Sequence, residues 1–181
     1  MLNLIRKTLF ATLDRFGFQL RRKKLQEQAD DPYHTISILL DKDNTRTIID
    51  AGASIGDISQ KLAKMYPLAT VYAIEPYPPF HANLEKLALK NKRIRAKKLA
   101  LSDENGSKVL QINKSEGTNS LLASNEEGEA IYGDLLSTTG EIKVKSQMLD
   151  DFIHENSIEQ VDLLKLDLQG SELPALTGAS K

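Results

Sequence analysis

The sequence predicts an α/β fold in which helices flank a mostly parallel sheet. From residue 45 onward, short apolar runs alternate with amphipathic segments, and the runs at residues 47–51 and 70–75 are each followed by a helical pattern. Such alternation is typical of β-α-β units, whose strands lie parallel. The chain has 181 residues, of which 40% are hydrophobic and 27% charged, which fits one soluble globular domain.

Residues 1–30 are predicted to form a basic amphipathic helix. This segment carries a net charge of +4, whereas the remainder of the chain carries −5. We expect the helix to dock on the domain that follows, and the alternative is a peripheral contact of residues 1–24 with an anionic membrane surface. Apolar residues recur at steps of three and four, which places them on one helical face: Leu2, Ile5, Leu9, Leu13, Phe16 and Leu20.

The composition restricts the cellular compartments and the partners that we expect for this protein. The chain has no cysteine and no apolar run near the roughly 18 residues of a membrane span, so we expect a cytoplasmic protein without disulfides. Because the body of the chain is net acidic, we expect no nucleic-acid partner. Three scattered histidines give no ligand spacing for a metal, and we expect no metal site.

Residues 31–181 are assigned to a single domain. Residues 102–140, rich in Ser, Asn, Gly and Glu, interrupt the alternation and are predicted to face the substrate, with a disordered surface loop as the alternative. Because only four core strands are predicted, we expect the domain to lack its final strands at the C-terminus. The predicted elements are, in order, strand 47–51, helix 55–66, strand 70–75, helix 80–90, strand 94–101, a short strand near 109–112, antiparallel strand 141–147, helix 149–156, buried strand 161–167 and helix 171–177.

Acidic residues stand at the ends of two strands that are expected to be neighbours. In "TIIDAGASIGD", Asp50 closes the first strand, and Gly52 and Gly56 permit a tight turn into the helix. In "VYAIEP", Glu75 closes the second strand. Ligands of open α/β sheets bind beyond the carboxyl ends of the strands, where a carboxylate can accept hydrogen bonds from both hydroxyls of a ribose.

The charge of this turn favours a cationic ligand over a phosphate. A pyrophosphate would be repelled by Asp50 and Asp57, whereas a nucleoside with a positive sulfur, such as S-adenosylmethionine, would be attracted. At 4 Å in a partly buried cleft, each such interaction is worth roughly 4 kcal/mol. The motif "GASIG" also departs from the G-x-G-x-x-G fingerprint of dinucleotide sites. A nucleotide-dependent oxidoreductase is therefore the less favoured alternative.

Several blocks together resemble the FkbM-type S-adenosylmethionine-dependent methyltransferases. They occur in the family's order over residues 47–179: "IIDAGASIGDIS", "VYAIEPYPPFHANLEKLALKN", "LALSDENG", "GTNSLL", "MLDDFI" and "VDLLKLDLQGSELPALTGA". The resemblance implies a Rossmann-like class I methyltransferase fold with S-adenosylmethionine at the carboxyl edge of the sheet. It also implies methylation of a hydroxyl on a sugar, another glycan or a polyketide-type small molecule. The alternative is a binding or membrane-associated module without catalysis.

The resemblance assigns roles to individual positions. Asp167, at the end of the fourth strand, would face the transferring methyl group or the substrate as the candidate catalytic residue. Ser54 stands where the family usually has Asn; serine keeps a hydrogen-bond donor and acceptor, but its shorter side chain reaches less far toward the cofactor. Other candidates for a general base are Glu172, His81 and His154, the two histidines being expected on the surface. The cofactor-binding positions implied by the family are Asp50, Gly52, Ala53, Ser54, Gly56, Glu75, Leu101 and Ser102.

Overall fold

A computed structural model of the protein describes residues 31–179. The helix predicted over residues 1–30 lies outside this range. The chain divides after Asp41 into two compact units, each of which is described by itself. None of the helices within the described range has both the length and the hydropathy that crossing a bilayer requires.

The described part of the first unit contains one helix, α1 (Pro32–Leu39). Asp31 caps its N-terminus, since the Asp31 carboxylate accepts a hydrogen bond of 2.9 Å from the backbone N–H of Tyr33. Pro32 occupies the first helical position, where a missing N–H costs nothing. The dipeptide Asp31–Pro32 is therefore a helix-start signal that the sequence interpretation did not use.

The second unit contains two β-sheets and five helices within the described residues. In chain order its elements are β1 (Thr47–Ala51), α2 (Asp57–Met65), β2 (Thr70–Ile74), α3 (Pro78–Lys90), β3 (Ile94–Lys97), β4 (Ala100–Leu101), β5 (Gly106–Asn113), a 3-10 turn (Glu116–Thr118), α4 (Glu126–Tyr132), a second 3-10 turn (Gly133–Leu136), β6 (Thr138–Gln147), α5 (Leu149–Glu155), β7 (Leu163–Leu166) and α6 (Glu172–Thr177). The first sheet is parallel and has four strands in the order β3-β2-β1-β7. The second sheet has three strands in the order β4-β6-β5, with β4 parallel and β5 antiparallel to β6.

Helices cover the parallel sheet on both sides. Ile49 and Ala51 of β1 are fully buried in one core cluster with Phe152 of α5 and Ala175 of α6. Because successive side chains of a strand point to opposite faces, Ile48 and Asp50 face the other side, where α2 contacts β1 and β2. This arrangement confirms the predicted mostly parallel sheet with flanking helices, and the architecture is Rossmann-like.

The prediction of one continuous strand over residues 94–101 is wrong. Residues 94–101 form two strands, β3 in the parallel sheet and β4 in the second sheet. The chain leaves the first sheet after Lys97, whose carbonyl accepts a hydrogen bond of 3.0 Å from the N–H of Glu75. Ala100 and Leu101 then pair with Ser146 and Gln147 of β6. The break arises from this long-range pairing, which local sequence does not encode.

Three further differences concern burial and helix bounds. Gly56 has φ of +96°, which is not helical, so α2 begins at residue 57 rather than 55. Strand β7 is half-buried rather than buried, since within the described residues it pairs on one side only, with β1. His81 of α3 was expected on the surface, but only 7% of it is exposed, and burial lowers the pKa of its imidazole while the nearby Glu85 carboxylate acts in the opposite direction.

Candidate functional site

A cavity opens beyond the carboxyl ends of β1, β2, β4 and β7, at the edge where parallel strands place ligands. We call it the donor cavity. Apolar side chains such as Ile74, Leu99 and Phe80 form part of its wall, and the carboxylates of Glu75, Glu116 and Asp167 supply negative charge. The full lining is Gly52, Ser54, Ile74, Glu75, Pro76, Phe80, Leu99, Ala100, Leu101, Leu110, Glu116, Gly117, Asn119, Ser120, Leu121, Asp167, Leu168, Gln169 and Ser171.

Glu75 is held in place at the tip of β2 by two backbone N–H groups. Its Oε2 accepts a hydrogen bond of 2.9 Å from Ser54, and its Oε1 accepts one of 2.9 Å from Tyr77. Only 7% of Glu75 is exposed, and burial raises its pKa, against the lowering effect of the two N–H donors and of Lys165. The carboxylate is therefore fixed in orientation and lies in the wall of the cavity.

The turn after β1 requires glycine at two places, for packing reasons. Gly52 has φ of +73°, and a Cβ there would lie 2.0 Å from the backbone oxygen of Asp167. Gly56 has φ of +96°, and a Cβ there would lie 2.4 Å from a methyl group of Leu87. The glycines thus let the turn approach the segment after β7 on one side and α3 on the other. Ser54 adopts φ of +50°, a left-handed conformation that is unusual for serine.

Asp50 lies beneath the turn rather than in the cavity wall. It is 0% exposed, and its Oδ2 accepts a hydrogen bond of 2.6 Å from the hydroxyl of Ser59 on α2. Its Oδ1 is 3.0 Å from Nζ of Lys165 without good hydrogen-bond geometry, so that this contact is an ion pair. Lys165 stands opposite Asp50 across the β1–β7 pairing and donates a hydrogen bond of 3.0 Å to the carbonyl of Gly52.

Asp167 follows β7 and is an accessible carboxylate, with 58% of its side chain exposed. Its Oδ2 is 3.7 Å from Nζ of Lys165, and its Oδ1 accepts a hydrogen bond of 3.1 Å from Gln169. Glu172, another candidate base, is engaged elsewhere, since its carboxylate accepts a hydrogen bond of 2.6 Å from the N–H of Leu168. Asp167 is thus the better placed of the two to receive a proton in the cavity.

The structure places some of the predicted site residues in the wall of the donor cavity and others outside it. Among the predicted positions, Gly52, Ser54, Glu75, Leu101 and Asp167 line the cavity. The others do not line the cavity and shape it indirectly. Asp50 pairs with Lys165, and Gly56 packs against α3. The N–H of Ala53 donates a 3.0 Å hydrogen bond to the carbonyl of Ile74, and the N–H of Ser102 donates one to the carbonyl of Gln147.

Sequence reasoning missed several polar residues of the cavity, among them Asn119 and Ser171. Within the described part of the chain, Nδ2 of Asn119 and Oγ of Ser171 are buried and have no hydrogen-bond partner. Leaving such a group unpaired costs about 1–3 kcal/mol, so each marks a place where a ligand atom would be stabilising. Asn119 falls in the block "GTNSLL", so the family resemblance of this block is the sequence signal that could have found it. No group of three or more potential metal ligands occurs between residues 31 and 179.

The sequence is similar to those of several known methyltransferases. "Methyltransferase 1" of Beauveria bassiana is 28% identical over an alignment of 142 positions, which covers 72% of this chain and 57% of that protein. "2-O-methyltransferase NoeI" of Sinorhizobium fredii is 26% identical over 187 residues, covering 91% of this chain and 72% of that protein. The crystal structure of a methyltransferase FkbM from Methylobacillus flagellatus KT aligns with a TM-score of 0.48 and 19% identity, over 75% of this chain and 29% of that one.

The chain spans little more than half the length of the Beauveria relative. Within the chain itself, residues 50–181 match the Methyltransferase FkbM domain, which is most of the sequence. This protein belongs to the FkbM methyltransferase family.

Proposed function

We propose that the protein transfers a methyl group from S-adenosylmethionine to a hydroxyl oxygen of a small molecule or glycan. The observation that carries this proposal is the Glu75 carboxylate, which is fixed at the tip of β2 in the cavity wall. A carboxylate offers about four lone-pair positions. Two of them are taken by the N–H groups of Ser54 and Tyr77, which leaves two for the vicinal hydroxyls of a ribose.

The remainder of the donor cavity fits the same cofactor. Leu99, Leu101 and Phe80 offer apolar surface to a purine, and the unpaired Nδ2 of Asn119 would gain a partner from an acceptor atom on a bound nucleoside. The carboxylates of Glu75, Glu116 and Asp167 attract a sulfonium and repel a diphosphate. This charge distribution favours S-adenosylmethionine over a dinucleotide such as NAD.

The chain's own residues account for positioning and proton transfer. When bound in the donor cavity, S-adenosylmethionine would supply an electrophilic methyl group to the acceptor oxygen. Asp167 takes the proton that the hydroxyl releases and passes it to solvent, which its exposure permits. Lys165 holds Asp50 and the carbonyl of Gly52, and so keeps the turn that bounds the cavity in one geometry. The name of the Sinorhizobium relative, a 2-O-methyltransferase, supports oxygen as the acceptor atom.

Titration calorimetry with S-adenosylhomocysteine, the product form of the cofactor, tests this proposal. We expect Glu75→Gln to weaken binding by about 10- to 100-fold, which corresponds to the 1–3 kcal/mol of a lost charge-assisted pair. Glu141→Ala, at an exposed carboxylate of β6 outside the cavity, serves as the control and should leave binding unchanged. Thermal unfolding of both variants shows that they are folded. Unchanged affinity in folded Glu75→Gln, or tighter binding of NAD than of S-adenosylhomocysteine, would overturn the assignment.

A further inference from the structure

A second cavity adjoins the donor cavity and shares two wall residues with it, Ser120 and Gln169. Ser120 is 6% exposed, and its hydroxyl donates a hydrogen bond of 2.8 Å to the carbonyl of Gln169. It also accepts one of 3.0 Å from the N–H of Leu122. This pair of contacts ties the segment after β5 to the turn after β7, so the boundary between the two cavities is a built part of the fold.

The two cavities differ in charge. Three carboxylates line the donor cavity, whereas none of the described residues that line the second cavity carries a formal charge. Glu129 is not part of the lining but contacts it, since its carboxylate accepts a hydrogen bond of 2.9 Å from the hydroxyl of Ser124. The lining consists of Asn113, Thr118, Ser120, Leu122, Ala123, Ser124, Asn125, Tyr132, Leu136, Gln169 and Gly170.

Neutral hydrogen-bonding groups beside an aromatic ring suit one kind of ligand. Hydroxyl and amide side chains exchange hydrogen bonds with the hydroxyls of an uncharged ring, while the face of Tyr132, which is 60% exposed, offers apolar surface to its C–H groups. A charged ligand would lose hydration there without gaining an opposite charge, which is unfavourable.

We propose that the second cavity binds the methyl acceptor, and that the acceptor is an uncharged, hydroxyl-rich ring such as a neutral sugar unit. This inference rests on the proposed methyl transfer. The acceptor enters beside Tyr132 and presents a hydroxyl across the Ser120–Gln169 boundary toward Asp167. The charge contrast between the cavities then separates the two substrates, because the sulfonium is drawn to the acidic side and the neutral ring to the other.

Saturation-transfer NMR on the full chain with bound S-adenosylhomocysteine tests the inference. The uncharged probes are the methyl glycosides of glucose, galactose, mannose, xylose and rhamnose, and the charged probes are methyl glucuronide and methyl glucosaminide. We expect saturation of at least one uncharged glycoside, and none of either charged one. Tyr132→Ala should weaken that signal about three- to tenfold. Ile131→Ala, on the same helix but outside both cavities and 75% exposed, should leave it unchanged.

Calorimetry separates the failure of this inference from failure of the proposed function. If S-adenosylhomocysteine binds but no uncharged glycoside is saturated, or if Tyr132→Ala and Ile131→Ala behave alike, the assignment of the second cavity is wrong while the donor cavity stands. If S-adenosylhomocysteine itself does not bind, both fail. Retained S-adenosylhomocysteine affinity in Tyr132→Ala is the expected control, since this residue does not line the donor cavity.

Discussion

We predict that the ion pair between Asp50 and Lys165 contributes strongly to the free energy of unfolding and little to ligand binding. Asp50 is 0% exposed and the Lys165 side chain 20%, with 3.0 Å between their charged atoms. At an effective dielectric near 20, this separation gives an attraction of about 5.5 kcal/mol, an upper limit for the pair. Removing one partner of a buried pair typically costs 3–5 kcal/mol, because the other charge is left uncompensated.

A double-mutant cycle measures the pair directly. We expect Lys165→Met to lower the free energy of unfolding by about 3–5 kcal/mol, since it strands Asp50 in the interior. Asp50→Asn should cost only about 1–2 kcal/mol, because the amide retains an acceptor for Ser59 and Lys165 can turn toward Asp167, 3.7 Å away. The double variant should resemble Asp50→Asn, so that the coupling energy is about 3–5 kcal/mol.

Urea unfolding of the parent protein, the two single variants and the double variant measures the coupling energy. Titration with S-adenosylhomocysteine measures ligand binding as the second readout. Because Asp50 lies behind the cavity wall, folded Asp50→Asn should bind S-adenosylhomocysteine within about threefold of the parent protein. A coupling energy below about 0.5 kcal/mol would show that the pair does not stabilise the fold. A tenfold loss of affinity in Asp50→Asn, with its stability unchanged, would show that Asp50 contacts the ligand directly.

Two further predictions concern the cavity wall. Burial raises the pKa of Glu75 above 4.5 in the folded protein. S-adenosylhomocysteine should therefore bind most tightly above this raised pKa, and its affinity should fall by up to about tenfold per pH unit below it. The contribution of Glu75 to the free energy of unfolding should instead fall as the pH rises from 4.5 through the raised pKa. Calorimetry and urea unfolding at several pH values check both signs, and a pH-independent affinity equal to that of Glu75→Gln would contradict the assignment. Ser54→Asn should raise the free energy of unfolding by about 0.5 kcal/mol, because Asn tolerates φ near +50° better than Ser does; a lowered value in urea unfolding would show that the turn does not hold this conformation.

The elements that sequence predicted well are those whose signal is local. Strand β1 has the predicted bounds, since a buried apolar run and a following glycine turn define it within a few residues. The division of residues 94–101 between two sheets was not predictable in this way, because it depends on the pairing of Ala100 with Ser146, more than forty positions away. Residues 102–140 also contain more structure than their composition indicated, with α4 and two 3-10 turns between β5 and β6.

Asp50 and Glu75 show how far sequence could reach at the site itself. Both were placed at strand tips, and the pairing of Asp50 with Ala73 confirms that β1 and β2 are neighbours. The side chains nevertheless go to different places. Asp50 precedes the last residue of β1, so the two-residue period commits it to the face shared with Ile48 and covered by α2. Glu75 stands one residue past the end of β2, and its carboxylate turns to the N–H groups of Ser54 and Tyr77. A difference of two positions relative to the strand end therefore decides which carboxylate supports the fold and which one lines the cavity.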